Sequence, residues 1–391
     1  MFAFSSTVRK PAGLLVALLS ILWLAACDPV VTAGGGPRIN TTRPVPVALL
    51  VPGGSSSAGD AILARHLENA ARLAIADLGD VRIDLRVYDT AGQPGQAAAA
   101  ARSAVADGAR IILGPVYAAN ANAAGLAVLR DNVNVLSFSS TPGIAGGNVF
   151  ILGNTYDNTA NRLVGFAKRA GHERIMIVHP QETNGIDARD AIRRAIARHG
   201  ASLAAIASYE FSQQGVVNAV PDIARTARSS GADAVFFTSD TAGALPYLAQ
   251  LLPENGLTPA STRFIGLTRW DIPRSTLSLP GIQGGWFALP DPGRAQQFAA
   301  RYSTAYGEPP HPIAGLAYDG IAAIGALVKA GKPNALTKAA LTQGAGFVGV
   351  NGIFRLRPDG TNERALAIAE VRNGDYVVID PAPRSFGGPG Y

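Results

Sequence analysis

Loops rich in glycine and hydroxyl side chains carry the groups best suited to binding a ligand. Residues 52–57 read Pro-Gly-Gly-Ser-Ser-Ser, between a β-branched run and an amphipathic stretch. The hydroxyls of Ser55 and Ser56, with backbone N–H groups at the start of a helix, can hold a carboxylate or another anion. The same loop equally fits a helix cap with Ser57 at the N-cap position. Similar loops lie at 114–117, which ends in Tyr117, and at 137–142, which contains Ser139 and Thr141.

A second group of polar loops lies in the later half of the chain, at 181–184, 239–241 and 268–270. Their side chains include Asn184 and Asp240. If the chain forms two α/β lobes, the strand-end loops of both lobes face one crevice, where ligands of such folds bind. Tyr117 and Trp270 are candidates for apolar walls of that crevice, and burial in the core is the alternative for each.

Signals of catalysis and metal binding are missing from the sequence. The five histidines form no His-Glu-x-x-His pattern, and the single cysteine cannot build a zinc site. The serine loop at 52–57 lacks the final glycine of a Gly-x-Ser-x-Gly elbow. We therefore expect a non-enzyme with no metal and no cofactor. The formal net charge of +6 comes without a run of Lys or Arg, which argues against a nucleic-acid partner.

The N-terminus has the parts of a secretion signal. Arg9 and Lys10 precede an apolar run at 14–24, which is too short to span a bilayer comfortably. Leu-Ala-Ala-Cys at 24–27 resembles the lipobox of bacterial lipoproteins, in which the cysteine is lipidated. The resemblance implies a signal peptide at 1–26, a lipid anchor at Cys27 and a flexible tether at 27–44. The protein would then face the periplasm, anchored in either the inner or the outer membrane.

Hydrophobic patterning from residue 45 onward predicts an α/β fold. Short β-branched runs alternate with Ala-rich amphipathic stretches, which indicates parallel sheets with helices on both faces. Strands are predicted at 45–51, 81–88, 110–113 and 133–138, and the pattern restarts after residue 160. The length of the chain suits two lobes of ordinary size. Near the C-terminus, Asp-Gly at 359–360 and Asn-Gly at 373–374 predict hairpins.

The strand-end loops resemble those of the type I periplasmic binding proteins of the leucine/isoleucine/valine-binding family. The likeness covers roughly 45–381, and the segments that carry it are Ile-Leu-Gly-Pro at 112–115, Ser-Phe-Ser-Ser-Thr-Pro at 137–142, Gly-Gly-Trp-Phe-Ala at 284–288 and Ala-Tyr-Asp-Gly at 317–320. The resemblance implies two lobes, joined by three crossings, that close on a ligand. We expect an N-terminal lobe of 45–152 and 290–345, and a C-terminal lobe of 153–289 and 346–385.

Carried over residue by residue, the resemblance gives an incomplete amino-acid site. Ser139 matches a position whose backbone contacts the ligand, and Thr141 matches a hydroxyl that helps to bind it. Asn184 stands where the family has a tyrosine, and Asp240 lies in a loop that lacks the family's ammonium-binding Tyr and Glu. A buried ammonium group without a partner is strongly unfavourable. Asp240 would therefore have to take that role from a displaced loop.

Two functions fit these expectations. The first is a solute-binding lipoprotein for ABC-type uptake, with an amino acid or a related small polar molecule as its ligand. The second is a regulator that binds a peptidoglycan synthase. Segments at 354–360, 363–364 and 380–383 resemble alphaproteobacterial lipoproteins that are grouped with penicillin-binding protein activators. A shared fold does not by itself separate the two functions.

Overall fold

The computed structural model describes residues 1–3 and 36–387. Most of the predicted signal peptide lies outside the described residues, and so do Cys27 and the tether up to residue 35. Within the described part of the chain, no helix is long and apolar enough to cross a membrane. The α/β pattern read from the sequence is confirmed, with two large sheets and a small third one.

The first large sheet forms the N-terminal lobe. Its elements, in chain order, are β1 (Val45–Val51), α1 (Ala58–Ala76), β2 (Ile83–Asp89), α2 (Pro94–Ala106), β3 (Ile111–Leu113), α3 (Ala118–Ala127), β4 (Asn134–Ser137) and β5 (Val149–Ile151). The five strands are parallel, in the order β2-β1-β3-β4-β5. The inner strands are continuous apolar runs because helices cover both of their faces.

The chain then builds most of the C-terminal lobe. Its elements are α4 (Tyr156–Arg169), β6 (Arg174–Pro180), α5 (Thr183–His199), β7 (Ser202–Tyr209), α6 (Gln213–Ser229), β8 (Ala234–Phe237), α7 (Leu245–Glu254), β9 (Arg263–Gly266) and β10 (Trp286–Leu289). Strands β6 to β10 are parallel to one another. Several helix starts follow local chemistry, and at α4 the Thr155 hydroxyl caps the helix by accepting the N–H of Asn158.

The last part of the chain returns to the N-terminal lobe and ends in the C-terminal one. It contains α8 (Pro292–Tyr306), α9 (Gly315–Lys329), α10 (Lys338–Leu341), β11 (Phe347–Gly349), β12 (Gly352–Leu356), β13 (Asn362–Arg364), β14 (Ala367–Arg372) and β15 (Asp375–Asp380). Strands β11 to β13 form the small antiparallel sheet. Strands β14 and β15 join the C-terminal sheet, whose order is β15-β14-β10-β9-β8-β6-β7.

One detail of the fold differs from a pair of purely parallel sheets. β14 runs antiparallel to β10, and β15 runs antiparallel to β14, so the C-terminal sheet is mixed. The direction of β15 relative to β14 has a local reason, because the Asn373-Gly374 turn closes a tight hairpin and a hairpin joins antiparallel neighbours. The antiparallel character of the last strands was predicted from that turn, but their place at the edge of the C-terminal sheet was not.

Apolar cores lie on both faces of each large sheet. In the N-terminal lobe, α1 and α9 cover one face, where Leu49, Leu67 and Ile321 are fully buried. Helices α2 and α3 cover the opposite face. In the C-terminal lobe, α6 and α7 lie over one face, and α4 and α5 lie over the other. This packing fixes the strand ends whose loops form the candidate site.

Candidate functional site

A cavity of about 340 Å³ lies where the two lobes and the small sheet meet. We call it the lobe cavity. Its walls come from the start of α4, the loop after β9, the end of β10, the start of α9 and the small sheet, with Tyr156, Thr268, Ile313, Asn351 and Arg364 among the lining residues. The lining is mainly apolar, with a few polar groups. A cavity of this size and character is typical of small-molecule sites.

Tyr156 is the polar group that connects the lobe cavity with the predicted C-terminal site. Its hydroxyl donates a hydrogen bond to Asn184 Oδ1 over 3.0 Å. Burial is the main reason that the pKa of Tyr156 is raised, and the charge of Asp240 adds to the rise. The phenol is therefore a neutral donor at physiological pH. Tyr156 thus bonds to Asn184 and lies within reach of the charge of Asp240.

Asp240 is exposed at the edge of the group that Tyr156 and Asn184 form. Its Oδ1 accepts the backbone N–H of Gly243 over 2.5 Å, which anchors the loop after β8. Nearby, the hydroxyls of Tyr209 and Ser239 are 2.8 Å apart. Burial is the main reason that the pKa of Tyr209 is raised to about 12, and the charge of Asp240 contributes. A carboxylate beside two neutral phenols is suited to receive a cationic or hydrogen-bond-donating ligand group.

The N-terminal edge carries a different arrangement at the serine loop. Ser55 Oγ accepts the N–H of Ser57 over 3.1 Å, so the loop is closed by its own hydroxyl, and Ser56 is exposed. Asp60, which the sequence analysis did not name, lies in the first turn of α1. Its carboxylate already supplies the negative charge that a helix start favours. Ser57 takes the N-cap position of α1, but its hydroxyl caps no backbone N–H, so the loop is held by Ser55 instead.

Tyr117 stands next to this loop and is 39% exposed. Its hydroxyl donates a hydrogen bond to the Asp60 carboxylate, and that bond is the first cause of the raised pKa of Tyr117. The ring is thus fixed at the surface of the N-terminal lobe rather than packed in the core. Trp270, the other aromatic candidate, is fully buried beneath the C-terminal sheet. Of the two roles considered for Trp270, the structure shows packing in the core, where Gly266 and Gly285 leave space for the indole.

Ser139 and Thr141 differ in whether their polar groups remain available to a ligand. Ser139 is buried, its N–H donates to Ser137 Oγ, and its own Oγ accepts the N–H of Thr141. Its carbonyl accepts the N–H of Gly153, which ties the loop to the first crossing between the lobes. Thr141 is exposed, and its hydroxyl forms no hydrogen bond with any other described residue. Of this pair, Thr141 is the one with a group free for a ligand.

The structure thus divides the predicted site residues between two edges. Asn184 and Asp240 lie together in the C-terminal lobe, and Ser55, Tyr117 and the serine loop lie together in the N-terminal lobe. Within residues 36–387, no hydrogen bond joins one edge to the other. None of the seven predicted side chains lines the lobe cavity itself. The cavity therefore lies deeper than the strand-end loops that carry these residues, next to the segments that connect the two lobes.

A buried ion pair holds the floor of the lobe cavity. Asp319 of α9 is 0% exposed and Arg364 of β13 is 4% exposed, and Arg364 Nη1 donates to Asp319 Oδ2 over 3.0 Å. Asp319 Oδ1 also accepts the N–H of Val350 over 2.7 Å, and Arg364 Nε donates to the carbonyl of Leu152 over 2.6 Å. The pair therefore ties an N-terminal-lobe helix to two of the segments that cross between the lobes.

Asn362, two residues before Arg364, closes the same junction. Its Nδ2 donates to the carbonyls of Ile151 and Gly153 over 2.7 and 2.8 Å, and its Oδ1 accepts from Asn158 Nδ2 over 2.6 Å. One amide thus bridges β5, the residues that directly follow it and α4. Among the described residues, no group of three or more His, Cys, Asp and Glu side chains is placed to hold a metal ion.

Solved structures with the same fold support this description of the lobes. One, described as a branched-chain amino acid ABC transporter protein from Rhodospirillum rubrum, has a TM-score of 0.74 and 20% identity, and the match covers 86% of this chain and 100% of that one. A substrate-binding protein from Desulfitobacterium hafniense in complex with Leu has a TM-score of 0.63 and 16% identity, covering 86% and 100%. A solute-binding protein from R. palustris in complex with benzoate has a TM-score of 0.57 and 17% identity, covering 87% and 98%.

At identities of 16–20%, these structural matches establish the fold alone, and the two-lobed type I architecture expected from the sequence is confirmed. Among curated proteins, none matches the chain in sequence. A family model described as "Periplasmic binding protein" matches residues 44–375, which is most of the chain. The chain therefore belongs to the periplasmic binding protein family.

Proposed function

We propose that the protein is a non-catalytic solute-binding protein that faces the periplasm and presents a small polar ligand to an ABC-type transporter. The observation that carries the proposal is the lobe cavity, with its apolar lining and its link through Tyr156 to Asn184 and Asp240. The limits of the lobes, 45–152 with 290–345 and 153–289 with 346–385, and the lipid anchor at Cys27 belong to the same proposal.

The geometry favours a ligand with an apolar body and a polar head. The body would fill the apolar part of the lobe cavity, and the head would meet the polar edge at Tyr156 and Asp240. Asp240 supplies a carboxylate for an ammonium or hydroxyl group, as the sequence analysis required of it. Leucine and benzoate, bound by two proteins of this fold, each combine an apolar body with a polar head. An amino acid or a related small polar molecule with a donor group in its head is the class that we propose.

The alternative function, binding of a peptidoglycan synthase, rests on C-terminal segments whose residues have structural roles. Arg364 is buried in the ion pair with Asp319, and Glu363 pairs with Arg357 over 2.9 Å. Asp380 pairs with Arg162 over 2.9 Å in the C-terminal lobe. These contacts explain the residue types in those segments without a partner protein. We therefore keep the regulator as the outcome to be inferred if the cavity binds nothing.

Native mass spectrometry of protein purified from its own periplasm tests the proposal. The expected result is a mass excess of one small molecule, which is lost on denaturation. Asp240→Asn should lower the bound fraction, because it removes the charge at the polar edge. Asp222→Asn is the matched control, since Asp222 is an exposed residue of α6 that does not line the cavity. Absence of any small molecule, together with capture of a synthase, would favour the regulator.

A further inference from the structure

Four exposed arginines gather where the first strands of the N-terminal sheet begin. Arg38, Arg43 and Arg110 line one shallow hollow at this end of the lobe. Arg82 joins them, because its Nη2 donates to the carbonyl of Thr42 over 2.6 Å. They precede β1, β2 and β3, and parallel strands begin at the same edge of a sheet. We call Arg38, Arg43, Arg82 and Arg110 the basic pole.

The charge of the basic pole is not neutralised by the described residues. None of its four guanidinium groups forms an ion pair with a described carboxylate. Two nearby carboxylates bind other side chains. Asp84 accepts a hydrogen bond from Arg86, and Asp107 accepts one from the hydroxyl of Tyr88. Asp80, before β2, and Asp131, before β4, are further carboxylates near these strand starts, and neither forms an ion pair with the four arginines. The surface keeps an excess of positive charge, which attracts an anionic partner.

The arrangement differs from that of several arginines in the C-terminal lobe. In the C-terminal lobe, Arg194 forms two hydrogen bonds with Asp157, and Arg162 pairs with Asp380. Those guanidinium groups are used within the fold. The arginines of the basic pole instead leave most of their donors to the exterior, as expected of a docking surface.

The chain enters the described body at this same pole. Gly36 lies against Leu336 and Thr337, and the N–H of Ile39 donates to the carbonyl of Pro333 over 2.8 Å. Arg38 is two residues beyond Gly36, so the tether leads directly into the basic pole. About nine residues separate Cys27 from Gly36, and an extended chain of that length reaches at most roughly 30 Å. A lipid on Cys27 would keep the pole close to a bilayer surface.

We propose that the basic pole docks on the anionic phospholipid headgroups of the membrane that holds the protein. The orientation part of the inference rests on the proposed anchor at Cys27, whereas the affinity for anionic lipid does not. Basic side chains near an anionic bilayer are attracted through its negative surface potential, which decays within a Debye length. Ligand-site loops follow the opposite ends of the same strands. Docking therefore turns the mouth of the cleft away from the bilayer and toward the aqueous space.

Vesicle co-sedimentation of the full chain carrying Cys27→Ala tests the inference. The vesicles are phosphatidylcholine alone or phosphatidylcholine with one part in three of phosphatidylglycerol. The ratio of the two partition coefficients isolates the electrostatic contribution to vesicle binding, because the apolar run at 14–24 contributes to both coefficients. We expect a preference for phosphatidylglycerol that falls steeply with added salt. Arg38→Gln with Arg43→Gln should lower that preference by roughly fivefold per arginine, as expected for basic groups near an anionic surface.

Matched controls separate docking from overall charge. Arg193→Gln with Arg225→Gln removes the same net charge from exposed helices of the C-terminal lobe and should leave the preference unchanged. Arg38→Lys with Arg43→Lys keeps the positive charge and should therefore keep the preference for phosphatidylglycerol. Equal loss in both Gln pairs, or no preference in the parent chain, would overturn the inference. Failure of Cys27 to take up a lipid would instead refute the anchor, because the vesicle assay uses an unlipidated chain.

Discussion

Replacing Asp319 by asparagine should strongly destabilise the junction between the lobes. The Asp319 carboxylate is wholly buried, and it accepts hydrogen bonds from Val350 N, Arg364 Nη1 and Asn351 Nδ2 at 2.7, 3.0 and 3.2 Å. Asn keeps the shape of the side chain but removes its charge. Arg364 then remains in the interior as an uncompensated cation, and its Nη2 already has no hydrogen-bond partner among the described residues.

The expected loss follows from the burial of both partners. Breaking a buried ion pair by removing one member destabilises a protein by about 3–5 kcal/mol. Typical domains have a total stability of about 5–15 kcal/mol, so the change is a large share of it. The exposed pair Arg274–Asp375, with side chains 67% and 55% exposed, is the natural control. Asp375→Asn should lower the free energy of unfolding by less than about 1 kcal/mol.

Urea unfolding followed by circular dichroism measures both losses in the same chain. The reasoning also predicts that Arg364→Met, added to Asp319→Leu, is less harmful than either change alone, because no charge is then left buried. If Asp319→Asn costs no more than Asp375→Asn, the pair does not hold the junction. An additive double variant would likewise show that the two side chains act independently.

Three further predictions test the anchor, the site and the buried histidines. Cys27→Ala should abolish incorporation of labelled palmitate, and undiminished labelling would exclude Cys27 as the anchor. Thr141→Val should weaken ligand binding roughly ten- to a hundredfold, because a hydrogen bond to a charged ligand contributes about 1.5–3 kcal/mol. Stability should not change, because Thr141 Oγ1 bonds to no other described residue. Full-strength binding in a calorimetric titration would refute the role of Thr141. Burial lowers the pKa of His179 below 6.5, so the unfolded chain binds more protons and stability declines as pH falls below about 6.5. His179→Gln should flatten that decline by up to about 1.4 kcal/mol per pH unit. An unchanged slope in urea titrations at several pH values would contradict this prediction.

The sequence predicts the repeating α/β pattern well because apolar periodicity is a local property. It does not predict β5, since three residues are too few to show a period. Missing β5 also hid the polar residues after it, including Tyr156, the group that links Asn184 and Asp240. Asp319 and Arg364 lie far apart in the sequence, and neither carries a local sign of burial. Only the three-dimensional course of the chain brings these two charges together.

Loop composition was a weaker guide to the site than to the fold. The serine-rich loop at 52–57 suggested a free hydroxyl at Ser55, but this hydroxyl accepts the N–H of Ser57. Ser139 was expected to meet a ligand through its backbone, but its N–H donates to Ser137 Oγ and its carbonyl accepts the N–H of Gly153. Short polar side chains readily form such local bonds, which compete with ligand contacts. The exposed Thr141 hydroxyl bonds to no other described residue, and the Asp240 carboxylate accepts only the N–H of Gly243 among them, so both can still bind a ligand. Whether a polar group is free depends on backbone geometry that the sequence does not display.

Strand polarity explains how one small fold can bind a solute and lie on a membrane at the same time. In the N-terminal lobe, residues before β1, β2 and β3 form the basic pole, and the loops after β1, β3 and β4 contribute the cleft edge. A parallel sheet places these two sets at opposite ends, so membrane contact and ligand entry do not compete for surface. The junction at Asp319 and Arg364 joins this fixed lobe to the other. Motion of the C-terminal lobe would then open or close the cleft without lifting the basic pole from the bilayer.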